Sequence, residues 1–306
     1  MIHSVLITGA NSGLGKESAR QFALREETRK VILGCRNPEK AEAAKAELVA
    51  QSGRDIFEIL IVDVSDLKSV KQAVTKVTEP VDALIMNAGG MSGRDFDRVF
   101  ENGVSKIVAT NLLGHFQFAE LLLQDAKINE VVMYAGSEAA RGIKKMGIMR
   151  PEMQNSSIDE FKTIMNGSYF GKKPDAMSFY AHVKYMASLW MSSLSRKFPN
   201  IRIITVSPGG TNGTAGMEDL PPVMKFIFKS LGTKVMPLFG LMHDLETGAK
   251  RYVDTVTNPN FKTGLFYGSE EPVTTGPLVD QSSIFPILAD QKVQDNAYEA
   301  IHSFLN

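Results

Sequence analysis

The chain has 306 residues, 43% apolar and 22% charged, a balance that buries a sizeable core and argues against disorder. Lys and Arg total 34, as do Asp and Glu, so no basic surplus points to nucleic acid and the expected partner is a small molecule. Cys35 is the only cysteine, which excludes an internal disulfide and a cysteine-built metal site and suits a reducing compartment; no metal is expected. The first apolar run, VLIT at Val5 to Thr8, starts too early for a signal-peptide core, and no run approaches the roughly 18 apolar residues of a membrane span. A cytoplasmic chain without a transmembrane segment is the expectation.

In chain order, VLIT precedes a helix from about Gly15, and KVILGC precedes a helix through EKAEAAKAELVAQ. FEILIVDV is followed by LKSVKQAVTKV and then DALIMNAG. After a polar loop come a helix around Asn111 to Asp125, the strand VVMYAG, a helix from about Ser178 to Phe198, and IRIITVSPGG. A helix near Glu246 and a strand at TGLFYG close the pattern. Apolar strands alternating with helices predict an α/β fold, a doubly wound, Rossmann-type parallel sheet covered on both faces, with ligands at the carboxyl ends of its strands. One domain spans 1–306. Two stretches break the rhythm: 138–177, rich in Gly, Pro and Asn and expected to be an irregular insertion, and 211–245, rich in Met and Phe.

The turn TGANSGLG after the first strand offers Gly9, Asn11, Ser12, Gly13, Leu14 and Gly15 as a pyrophosphate cradle: glycines let the backbone approach, and the next helix's N-terminus favours the charge. The second strand ends GCRN. A dinucleotide site that prefers NAD(H) usually carries an acid there, whereas Arg36 suits a 2′-phosphate and has no acidic neighbour in sequence, so NADP(H) is expected over NAD(H). A solvated surface arginine is the alternative. Asp63 and Val64 end the third strand, where the Asp63 carboxylate would meet an adenine amino group. Asn87, Ala88 and Gly89 end the fourth, where small residues let a flat ring lie on the backbone; ordinary turn chemistry also explains them.

Together with YAHVK at Tyr180 to Lys184, NLLG with Asn111, a strand-end Ser137, and Pro208 and Gly209, these motifs resemble the short-chain dehydrogenase/reductase family of compact type, over about Ser4 to Gly268. The resemblance implies NAD(P)-dependent interconversion of carbonyls and alcohols by Asn111, Ser137, Tyr180 and Lys184. Tyr180 would be the acid/base, Ser137 would bond the reacting oxygen, Lys184 would bond the nicotinamide ribose, and Asn111 would hold a proton-relay water. Tyr180 and Lys184 share one face of a stretch free of Gly and Pro until Pro199. A second such pair, Tyr169 and Lys173, is split by Gly171 and followed by Pro174, so a common helical face is not expected. For Ser137 a plain strand-end turn, and for Asn111 a buried cap on a helix kink, are the structural alternatives.

The chain departs from the family pattern in two places. Forty-two residues separate Ser137 from Tyr180, where about a dozen is usual. Some family members carry such an insertion over the face that otherwise builds a dimer, so a monomer is expected here, or failing that a homodimer, with the insertion walling the substrate mouth. After PGG, Gly213 stands where the family's threonine usually falls, leaving Thr211 and Thr214 as rivals for the carboxamide. Met217, Met224, Phe226, Phe228, Met236 and Phe239 suit buried helix faces or, more sharply, an adaptable apolar lid over a hydrophobic substrate. The expected function is NADP(H)-dependent reduction of an apolar ketone or aldehyde, or the reverse. A non-catalytic NADP(H)-binding regulator on the same fold is the alternative.

Overall fold

The computed structural model describes residues 1–212 and 239–305. β1 (Ser4–Thr8), α1 (Gly13–Ala23), β2 (Lys30–Cys35), α2 (Pro38–Ser52), β3 (Phe57–Ile61), α3 (Leu67–Lys76) and β4 (Val81–Met86) follow in strict alternation. A helical turn, α4 (Lys106–Val108), passes through a π turn at Ala109–Leu113 into α5 (Gly114–Gln124), which leads to β5 (Ile128–Ala135). Then come α6 (Ile158–Met165), α7 (Ala176–Lys197), β6 (Arg202–Val206), α8 (Leu245–Thr257), β7 (Phe266–Ser269), β8 (Leu278–Asp280) and α9 (Gln291–His302).

The strands form one sheet in the order β3-β2-β1-β4-β5-β6-β7-β8. Neighbours are parallel except β7 and β8, which pair antiparallel from Tyr267↔Asp280 to Ser269↔Leu278. The chain between them is shorter than the dozen or so residues a parallel crossover needs, so it reverses as a hairpin and the predicted parallel sheet acquires an antiparallel edge. The order switches direction between β1 and β4, which places a ligand crevice at their carboxyl ends.

Alternate strand residues feed two cores, as the period-2 geometry of a strand requires. Leu6, Leu84, Val132 and Tyr134 face α3, α5, α7 and α9, whereas Val5, Ile7, Ile85 and Met133 face α1, α2 and α8. The first core is the larger and holds Trp190, Phe116, Phe118 and Phe161, all fully buried. Gly114 lets α5 enter it: a Cβ there would lie 1.6 Å from the Val64 carbonyl oxygen.

The insertion is more regular than expected. Ser157 Oγ accepts from the Glu160 amide at 3.2 Å and caps α6, while the Glu160 carboxylate gathers the amides of Gln154, Asn155 and Ser156 at 2.6, 2.9 and 2.7 Å. The S-x-x-E of a capping box was therefore present in the sequence. Phe161, Ile164 and Met165 bury α6 against α7 and α9.

Candidate active site

The carboxyl ends of the central strands open on a cleft of about 500 Å³. Gly9, Asn11, Ser12, Gly13, Leu14, Arg36, Asp63 and Val64 line it on one side of the switch, and Asn87, Ala88, Gly89, Ser137, Tyr180, Lys184, Pro208, Gly209 and Thr211 on the other. Two predicted residues do not line it. Gly15 packs α1 onto the turn, where a Cβ would lie 2.5 Å from both Asn87 Nδ2 and the Gly9 carbonyl oxygen. Asn111 is fully buried beneath the cleft. Gly34, Gly90, Thr110, Ser207 and Tyr252 line the cleft without having been singled out, because no local motif marks them. Thr214 and Met217, Met224, Phe226, Phe228 and Met236 lie outside the described residues; Phe239 is exposed. No residue of 138–177 lines the cleft, so among the described residues the insertion buttresses α7 rather than walling the mouth.

The turn fits a dinucleotide. Six of the longer helices carry a side-chain cap: Asn37, Asp66, Ser157, Asp175, Asp244 and Asp290 each accept from an amide of the first turn. α1 does not. Ser12 makes no capping bond and no acid occupies its first turn, so the helix presents bare amides and a positive dipole end to the cleft, as an anion requires. Gly9 and Gly13 sit at φ +67 and +53, conformations open to glycine. Asn87 Nδ2 donates to the Thr8 carbonyl oxygen at 2.9 Å, and Thr8 Oγ1 accepts from the Asn87 and Ala88 amides at 2.9 and 3.0 Å, tying β4 to β1. Having accepted twice, the Thr8 hydroxyl donates to His115 Nε2 at 2.9 Å, which assigns the imidazole proton to Nδ1.

At the β2 and β3 end of the cleft, Arg36 is exposed and its Nε stands 3.9 Å from Asp63 Oδ2. The absence of an acidic neighbour held only in sequence; the fold supplies one from the next strand. The other Asp63 oxygen accepts from the Ser65 amide at 2.9 Å and the Ser65 hydroxyl at 2.6 Å.

α7 starts where Asp175 caps Ser178 and runs unbroken through Tyr180 and Lys184. Burial pushes the Tyr180 phenol up to about 12, opposed by its hydrogen bond with Ser137, while the Glu138 charge adds to the rise. Burial pulls the Lys184 ammonium down to about 7. Its Nζ lies 5.6 Å from the centroid of the Tyr180 ring. Ser137 Oγ accepts from the Ala139 amide at 3.2 Å, so the strand-end cap and the cleft-facing hydroxyl are one group. The side chain of Asn111 is engaged with backbone: Nδ2 donates to the Gly90 and Ile107 carbonyls, both at 2.8 Å, and Oδ1 accepts from the Gly90 amide at 2.9 Å. Asn111 sits within the π turn at Ala109–Leu113. Tyr169 stands on a short turn outside the cleft, its hydroxyl donating to the Glu152 carbonyl.

Glu138, unmarked in the sequence, is buried among three strand ends. Its carboxylate accepts from the Ser207 hydroxyl and from the Ser269 amide at 3.0 Å, with Arg251 Nη1 3.9 Å away. This holds the chain under Pro208 and Gly209.

The family model described as short chain dehydrogenase matches residues 3–141. Retinol dehydrogenase 13 of Mus musculus is 35% identical over 269 residues, 82% of this chain and 75% of that protein. The Homo sapiens protein of that name is 35% identical over 127 residues, 40% of this chain. Dehydrogenase/reductase SDR family member 12 of Bos taurus is 33% identical over 157 residues, 50% of this chain. The matches span only 37% of the human and 48% of the bovine protein. The solved structure of an uncharacterized protein from Mycobacterium Paratuberculosis superposes with a TM-score of 0.71 over 99% of this chain and 93% of that one, at 21% identity. Among the described residues no helix is long and apolar enough to cross a membrane.

Proposed function

We propose, on the premise that the chain belongs to the short-chain dehydrogenase/reductase family, that it interconverts a carbonyl and an alcohol with NADP(H) and that Tyr180 is the general acid/base. The observation that carries this is the convergence of Ser137, Tyr180 and Lys184 on a cleft whose other half is a glycine turn and an uncapped helix end.

Gly9, Asn11, Ser12, Gly13 and Leu14 would hold the pyrophosphate, Arg36 a 2′-phosphate, Asp63 and Val64 the adenine, and Asn87 to Gly89 its ribose. Lys184 would bond the nicotinamide ribose, with Pro208, Gly209 and Thr211 near the carboxamide. Bound there, the cofactor supplies the hydride in reduction and accepts it in oxidation. Tyr180 gives its proton to the developing alkoxide and takes it back in the reverse direction. An isolated phenol is a poor base at neutral pH; its hydrogen bond with Ser137 favours the phenolate, and a charged Lys184, whose Nζ stands 5.6 Å from the ring centroid, would do the same. Ser137 would hydrogen-bond the reacting oxygen and hold it in line. Names among the relatives, retinol dehydrogenase 13 included, support an apolar alcohol or carbonyl compound.

Tyr180→Phe should fold and bind NADPH yet lose at least about a hundredfold in turnover against a panel of ketones, aldehydes and quinones. Tyr169→Phe should retain it. An active Tyr180→Phe enzyme overturns the mechanism. NADPH binding without turnover of any compound by the wild type would favour a regulator.

A further inference from the structure

We propose that Tyr134 is a positioning residue for this reaction: its buried hydroxyl bridges Lys184 to the backbone carbonyl of Asn111 and fixes where the ammonium sits. The proposal rests on the reading of Tyr180 as acid/base.

Tyr134 is on β5, three residues before Ser137, and is fully buried. Its ring is packed edge-on by His115 at 6.0 Å and Trp190 at 5.9 Å, so the hydroxyl has little freedom. Oη lies 2.6 Å from the Asn111 carbonyl oxygen and 3.1 Å from Lys184 Nζ. A carbonyl only accepts and a phenol has one proton, so Tyr134 donates to Asn111 and accepts from Lys184. The direction of the chain, Lys184 to Tyr134 to Asn111, follows from chemistry alone.

Lys184 Nζ also donates to the Ala135 carbonyl at 2.8 Å and stands 4.6 Å over the Tyr134 ring. Two of its three N–H bonds are thereby spent on adjacent residues of one strand, leaving one for the cleft that Lys184 lines. Both bonds and the ring face favour the charged amine, against the burial that disfavours it. Asn111 is in turn braced to Gly90 and Ile107, which anchors the far end. Burial raises the Tyr134 phenol well above its ordinary range, so it stays a neutral hydroxyl and does not compete with Tyr180. The other titratable groups around this point are His115 on α5, Tyr180 on the same helix as Lys184, Tyr252 on α8, and Glu138 beyond Ser137.

The test is the pH profile of alcohol oxidation in Tyr134→Phe, which keeps the ring and removes only the hydroxyl. Lys184 then loses an acceptor, so its charge is held less well and Tyr180 ionises later. The acid limb of kcat should move up by about one pH unit, with kcat near neutrality lower by about tenfold and KM for NADP within about twofold. Tyr134→Gln, whose amide carries both an acceptor and a donor, should restore most of the profile. A Tyr134→Phe enzyme that is merely less heat-stable, with an unchanged profile, overturns the proposal. Should that variant fail to fold, a folded Tyr134→Gln enzyme whose acid limb moves up by about a full pH unit would overturn it, because an acceptor at this position would not be what sets the limb. If Tyr180→Phe is active, the reading beneath the proposal fails; if it is dead and Tyr134→Phe behaves as wild type, only Tyr134 has been misassigned.

Discussion

Arg36 and Asp63 show how one residue's meaning depends on another twenty-seven positions away. Arg36 is exposed and 3.9 Å from the Asp63 carboxylate, which would compete with a 2′-phosphate for the guanidinium, so the proposed preference requires Arg36 to outweigh that acid. Arg36→Ala should weaken NADPH by about tenfold to a hundredfold and leave NADH nearly unchanged. Equal loss for both, read from KM values with each cofactor, would refute the preference. His115 is legible only in the fold. Burial, with the Lys184 charge, pulls its imidazole from 6.5 down to about 3, so it is neutral in the native protein. As pH falls from 6.5 toward 3 the unfolded chain takes up a proton that the native chain refuses, and the stability present above 6.5 is progressively lost. His115→Gln should flatten that part of the Tm-against-pH curve. Parallel curves for variant and wild type would count against it.

Among elements, α1 marks the site, because its N-terminus opens on the cleft without a side-chain cap while six other helices carry one. Ser12→Asp should raise the melting temperature of the cofactor-free protein, a cap being worth about 0.5–2 kcal/mol, and should weaken NADPH by tenfold or more through repulsion of its phosphates. A tighter complex, by calorimetry, would mean that the phosphates lie elsewhere. Gly114→Ala should destabilise by at least about 1–3 kcal/mol, since α5 must retreat from the Val64 carbonyl; chemical denaturation checks it. Strand-end motifs were readable because turn, strand and helix lie within a few consecutive residues: TGANSGLG, NAG, Ser137 and YAHVK all reach one cleft. What escaped is either long-range or mislabelled by composition. Tyr134 was one aromatic in a buried strand, and its role needs Lys184 from fifty residues on. α6 hid in a Gly- and Pro-rich stretch although Ser157 and Glu160 announced it. The antiparallel β8 follows from a short connection, which an expectation of unbroken alternation overlooks.

On the scale of the whole molecule, α9 packs across α7 and α6 on the side of the larger core. Val293, Ala297, Tyr298, Ala300 and Ile301 are buried, Tyr298 meets Phe116 at 5.2 Å, and its hydroxyl donates to Glu120. Each large apolar side chain buried is worth about 1.5–3 kcal/mol, and whole domains are stable by only about 5–15 kcal/mol. Ending the chain before Gln291 should therefore leave it unfolded or aggregated; a folded, active truncated protein by circular dichroism and NADPH turnover would contradict this. Because α6 and α9 lie over α7, we expect a 33.6 kDa monomer by light scattering, and a larger particle packed through α7 would refute that. The two ends of the sheet bear on the same question. β8 has three residues and runs against its neighbour, while at the opposite rim Glu58 is exposed on β3 and faces Lys30 at 3.4 Å. A short antiparallel stub at one rim and an exposed charge at the other are features that disfavour pairing with another copy's backbone, so strand addition at either end of the sheet is not expected.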